Sequence, residues 1–130
     1  IPSGEIVAYG ESLGGAVAID LAAKHELAGL IVESGFTSAK AMGKKIFPVI
    51  PESIYKSSFD SLRKIKNIHC PKLIFHSTDD EIIPFDQGKK LFDAAPEPKE
   101  FVELKGGHND AFLVSREQFI GKIDSFVSGF

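Results

Sequence analysis

Gly10-Glu11-Ser12-Leu13-Gly14 stands between two stretches of opposite character. Before it, Glu5-Ile6-Val7-Ala8-Tyr9 reads as a strand, and after it Leu13 to Ala23 reads as a helix rich in small residues. A strand that turns straight into a helix through G-x-S-x-G forces the serine into a strained backbone conformation. Glycines at Gly10 and Gly14 take away the Cβ atoms that would collide in so tight a turn. The Ser12 hydroxyl is then held above the sheet, at a helix amino end whose free N–H groups favour developing negative charge. The pentapeptide alone is common; its place between strand and helix marks Ser12 as a candidate nucleophile.

The rest of the chain repeats the alternation. Leu27-Ala28-Gly29-Leu30-Ile31-Val32-Glu33 reads as a second strand, apolar on both faces at Leu30-Ile31-Val32, as a strand covered by helices requires. Ser38 is placed to cap a short helix running through Phe47. Phe47-Pro48-Val49-Ile50-Pro51 is then irregular and apolar, the composition of a segment packed on the core or lining a pocket. A short helix over Phe59 to Ile65, a third strand over Pro71 to His76, and a polar, acidic turn from Ser77 to Ile83 follow. Pro84 opens a helix to about Ala94, where proline is tolerated in the first turn. Glu100 to Leu104 is the fourth strand, Gly106 to Asp110 a turn, and the last helix spaces Phe119, Ile123 and Phe126-Val127 on one face. The pattern predicts an α/β fold with a parallel sheet and flanking helices.

Three residues able to carry nucleophilic chemistry fall on three strand ends: Ser12 after the first, Asp80 after the third and His108 after the fourth. All strands of a parallel sheet end on one edge, where ligands bind. Imidazole near neutral pH can take a serine proton, and a carboxylate can fix its tautomer. The Leu13 N–H, one residue past the nucleophile, supplies half of an oxyanion hole. Asp79 rivals Asp80 as the acid, and Glu33 ends a strand on the same edge. Phe36, Phe47 and Ile50, with Val49, are candidates for an acyl pocket or for the core.

Composition narrows the alternatives. The 130 residues suit one domain, and 43% hydrophobic with 25% charged residues is ordinary for a globular protein. A net charge of -3 without a basic run argues against nucleic acid. One cysteine, Cys70, excludes an intrachain disulfide and fits a reducing, cytoplasmic compartment. The four histidines lack i, i+4 spacing or a Cys/His cluster, so no metal or other cofactor is expected. His25 reads as a surface residue at a helix end, His69 and Cys70 fall at the far edge of the sheet, and His76 reads as a support for the acid loop. No apolar run reaches membrane-spanning length, and membrane association is otherwise open.

The chain resembles the carboxyl-terminal part of an α/β-hydrolase of the serine esterase, thioesterase and peptidase type. The resemblance rests on Tyr9 to Gly15 at the elbow, Glu33 to Ser38, His76 to Pro84 after the third strand, and Gly106 to Asp110. It covers essentially all 130 residues, and within the family it is nearest to the membrane-associated subgroup that includes protein depalmitoylases. It implies a Ser12-Asp80-His108 triad acting on a small-molecule or acylated substrate. It also implies departures. His76-Ser77 stands where the family usually has His-Gly, and only the last four of the usual eight strands are present. The loop giving a second oxyanion donor would lie upstream, and the elbow strand would be an apolar sheet edge. The chain, opening on Ile1 without a methionine, is thus expected to belong to something longer. On its own it is expected to be weakly active or inactive, and to associate through that edge. The competing expectation is a non-catalytic remnant that serves as a binding module.

Overall fold

Four parallel strands in the order β1-β2-β3-β4 form one sheet in the computed structural model, which describes residues 1–46, 48–51, 53 and 60–130. The strands are β1 (Val7–Glu11), β2 (Gly29–Glu33), β3 (Lys72–Ser77) and β4 (Lys99–Leu104). Sequential strands are spatial neighbours throughout, paired Tyr9 with Ile31, Val32 with Ile74, and Phe75 with Val102. Helices α1 (Leu13–Lys24), α2 (Ala39–Ile46), α3 (Ser61–Ile65), α4 (Phe85–Ala94), α5 (Ala111–Val114) and α6 (Arg116–Ser128) make the connections and the carboxyl-terminal end.

The alternation of side chains along each strand decides which helix each one meets. Leu30, Val32 and Ile74 pack with Ala18, Ile19 and Ala22 of α1, Ile65 of α3 and Leu91 of α4. Their neighbours Ile31, Leu73, Phe75 and Val102 face the other way, onto Ala111 of α5 and Phe119, Ile123 and Phe126 of α6. Both central strands are buried along their whole length, which explains why Leu30-Ile31-Val32 and Leu73-Ile74-Phe75 run apolar without alternation. Burying a large side chain such as Phe75 or Leu30 completely contributes about 1.5–3 kcal/mol.

Element bounds differ from the sequence reading in informative places. β1 begins at Val7 rather than Glu5, because Ser3–Glu5 forms one turn of 3-10 helix with Ile6 N–H bonded to Ser3 O. The strand then runs to Glu11, directly against the elbow. Ser38 does cap α2, accepting the Ala41 N–H at 3.1 Å. Asp60 does the same for α3, its carboxylate accepting the Arg63 N–H. The last helix is two: α5 ends at Val114 and α6 starts after Ser115. In α6 Phe119, Ile123 and Phe126 pack inward as expected, whereas Val127 is exposed. No helix among the described residues is long and apolar enough to cross a membrane.

Candidate active site

The carboxyl ends of β1, β3 and β4 converge on one point. Ser12 follows β1 with φ 54° and ψ -117°, left-handed backbone that a residue with a Cβ adopts only under constraint. The constraint is visible on both sides. The Ser12 N–H donates to Glu33 O at the end of β2, at 2.8 Å, and the Ser12 carbonyl accepts the Gly15 N–H at 3.0 Å. Gly10 is indispensable there, since a Cβ would overlap the main-chain carbonyl of Gly14. Leu13, the first residue of α1, has an N–H with no acceptor one turn back.

His108 is buried in the turn after β4 and links the other two residues. Its Nδ1 lies 2.8 Å from Asp80 Oδ2 and its Nε2 lies 3.0 Å from Ser12 Oγ. With Asp80 ionised, Nδ1 carries the proton and donates to it, so Nε2 is left to accept from the serine hydroxyl. Burial alone would raise the Asp80 pKa. Hydrogen bonds from His108 and from the Ile83 and Ile82 N–H groups outweigh that, and hold the carboxyl below its ordinary value. The bond to Asp80 pushes His108 above the ordinary imidazole value, against burial and with help from the Asp80, Glu11 and Glu81 charges.

The rival acids are engaged elsewhere. Asp79 Oδ2 accepts the Gly106 N–H at 3.3 Å, bracing the histidine turn rather than the imidazole. Glu33 is fully buried and accepts the Tyr9 hydroxyl at 2.5 Å, while its Oε2 has no partner among the described residues. Burial raises the Glu33 pKa, opposed by the Tyr9 bond and reinforced by Glu11. Burial and Glu33 together raise Tyr9. His76 is also fully buried; its Nε2 donates to Ile83 O at 2.8 Å and lies 3.5 Å from Asp80 Oδ2. Burial lowers its pKa, so it supports the acid loop as a neutral ring.

The pocket candidates separate. Phe36 is 1% exposed, in a cluster with Ala16, Met42 and Ile83 that Leu13 and Ile82 flank. It therefore belongs to the cluster against which Leu13, the residue after Ser12, packs. Ile50 is 39% exposed and Val49 90%. Phe47 lies outside the described residues. His25, His69 and Cys70 line a cavity of about 450 Å³ with the turns after α1 and before β3, at the opposite edge of the sheet. Among the described residues no group of three or more His, Cys, Asp or Glu side chains could hold a metal ion.

Sequence reasoning missed the Tyr9–Glu33 pair and the contact of Glu81 with the histidine turn, where Glu81 Oε2 accepts the His108 N–H at 3.0 Å. The first had a signal: Tyr9 lies opposite Ile31 in the parallel pairing, and Glu33, two residues further along β2, shares that face. The second joins segments 27 residues apart and needs the loops in place.

A parallel sheet carrying a strained serine after β1, an aspartate after β3 and a histidine after β4, in that chain order, has the form of an α/β-hydrolase. Comparison with known proteins agrees. The chain is 36% identical over 124 residues to human alpha/beta hydrolase domain-containing protein 17B, covering 95% of this chain and 41% of that protein. It is 31% identical over 128 residues to alpha/beta hydrolase domain-containing protein aho-3 of Caenorhabditis elegans, covering 98% and 37%. Its fold matches an esterase of Pyrococcus furiosus with a TM-score of 0.76 at 19% identity, covering 98% of this chain and 54% of that one. The esterase domain of a Rhodothermus marinus protein matches with a TM-score of 0.69 at 22% identity, covering 88% and 58%. No family model matches the chain. The chain belongs to the α/β-hydrolase superfamily, and it spans about two fifths of the length of these curated relatives.

Proposed function

We propose that the chain carries the acyl-transfer centre of a serine hydrolase that cleaves an ester or thioester, with amide cleavage as a less favoured variant. One observation carries the reading: His108 hydrogen-bonds Asp80 through one ring nitrogen and Ser12 through the other. A serine hydroxyl is a poor nucleophile until a base removes its proton. In the proposed cycle Ser12 Oγ attacks the substrate carbonyl as His108 Nε2 takes its proton, and Asp80 stabilises the imidazolium. The developing oxyanion accepts the Leu13 N–H, and a second donor would come from a part of the domain beyond these residues. His108 then protonates the leaving group, and water repeats the sequence in reverse to free the acyl group. Phe36, Phe47 and Ile50 are proposed to shape the acyl site. The small-molecule or acylated character of the substrate, and a reducing compartment suited to Cys70, belong to the same reading.

The test is labelling by a fluorophosphonate, which needs an activated serine but no particular substrate. Labelling of the wild-type chain that vanishes in Ser12→Ala supports the reading. A folded chain that stays unlabelled removes it, for these residues on their own. A second reading, a binding or self-associating module, draws on the position of β1 at the edge of the described sheet, with Ile6 39% and Tyr9 50% exposed.

A further inference from the structure

Asp80 is the residue that addresses the His108 ring, yet a single hydrogen bond at Nδ1 does not hold an imidazole still. The ring can pivot about that bond and swing Nε2 away from Ser12. The main chain of the same residue carries a second anchor. Glu81 Oε2 accepts the His108 N–H at 3.0 Å, its one acceptor among the described residues. The glutamate also lies against the preceding residue, where a Cβ added at Gly107 would come within 3.0 Å of Oε2 and 3.4 Å of Oε1. The residues around His108 are held by other groups. Ser77 Oγ donates to Gly106 O at 2.5 Å, and Gly107 O accepts the Asp110 and Ala111 N–H groups. Consecutive carboxylates thus grip one histidine at two points, Asp80 at the ring and Glu81 at the backbone.

We propose that Glu81 is a positioning residue for His108, fixing through its main-chain N–H the orientation that aims Nε2 at Ser12. The proposal rests on the hydrolase reading above. Glu81 has a second effect through its charge. His108 is faced by Asp80 and Glu81 from the acid loop, Glu11 from the end of β1, Glu33 from the end of β2 and His76 from β3. Removing one anion from this set moves the imidazole titration to lower pH. Two substitutions separate the effects, since Glu81→Gln keeps an acceptor oxygen and loses the charge, whereas Glu81→Ala loses both.

The experiment is the pH profile of fluorophosphonate labelling for the wild-type chain and the two variants, with NMR titration of the His108 imidazole in the same samples. Both variants should show an acid limb displaced to lower pH. On the alkaline plateau E81Q should label within about threefold of wild type, and E81A should fall about tenfold to a hundredfold, the scale of a misplaced reacting group. Equal plateaus for E81A and E81Q, or an E81A plateau at the wild-type rate, would overturn the proposal. If the wild type is not labelled, the hydrolase reading fails for this chain and the NMR decides about Glu81 separately. The downfield His108 Nδ1–H resonance should persist in E81Q and be lost to exchange in E81A. Its persistence in both would sink the positioning role.

Discussion

At Ser12 and its partners, protonation state and geometry cannot be separated. His108 works as a base only when neutral, and its pKa lies above the ordinary imidazole value. Labelling or turnover should therefore rise with pH later than for a solvent-exposed histidine, and the midpoint of a pH–rate profile checks this. The same shifts act on stability with opposite signs. The contribution of Asp80, whose pKa is depressed, is complete above the ordinary carboxylate range and lost as pH falls through its folded value. The contribution of charged His108, whose pKa is raised, is complete below the ordinary imidazole value and lost as pH rises through its folded value. Asp80→Asn should flatten the dependence of Tm on pH across both windows. It should also lower the labelling rate by about 10⁴-fold, because an amide no longer enforces the productive tautomer.

At the scale of elements, close approaches explain why certain positions hold no side chain. Gly88 of α4 lies against the His76 ring, and a Cβ there would stand 2.5 Å from Nδ1. Gly88→Ala should cost about 1–3 kcal/mol and disturb Asp80 through His76, read as a lower Tm and slower labelling. Gly121 of α6 has no neighbour among the described residues that an added Cβ would meet. Gly121→Ala should raise stability by about 0.5–1 kcal/mol through helix propensity and leave labelling unchanged. The sequence distinguishes such positions unevenly. The elbow was legible because strand, glycines and helix are contiguous, and the burial of β2 because Leu30-Ile31-Val32 is apolar on both faces. The split at Ser115 was not. Its hydroxyl donates to Lys105 O and accepts the Lys105 N–H, and only the folded chain brings those groups together. Asp80 was preferred to Asp79 only through the family resemblance, and the separate tasks of Asp79 and Glu81 depend on a turn contributed by another strand.

For the whole molecule, the sheet has two unlike borders. β4 exposes Glu100 and Glu103 while burying Val102 and Leu104, and Lys122 of α6 bonds Glu100 at 2.7 Å. β1 pairs with β2 alone among the described residues, and Ile6 before it is exposed. The 130-residue chain studied on its own is expected to self-associate along β1. Sedimentation velocity should show concentration-dependent species that Ile6→Lys reduces, because charge beside an open strand opposes pairing. A monomer at all concentrations would count against the binding-module reading.

Ser12 and His108 are 96 positions apart, and Ser12 is tied through its N–H to the intervening β2. The hydrogen-bonded relay therefore exists only when every strand from first to last sits in its proper register. Chemical reactivity at Ser12 becomes a census of the assembled sheet: a molecule with any strand detached should fall silent at once. In a urea series the labelled fraction and the far-ultraviolet dichroism should trace the same curve.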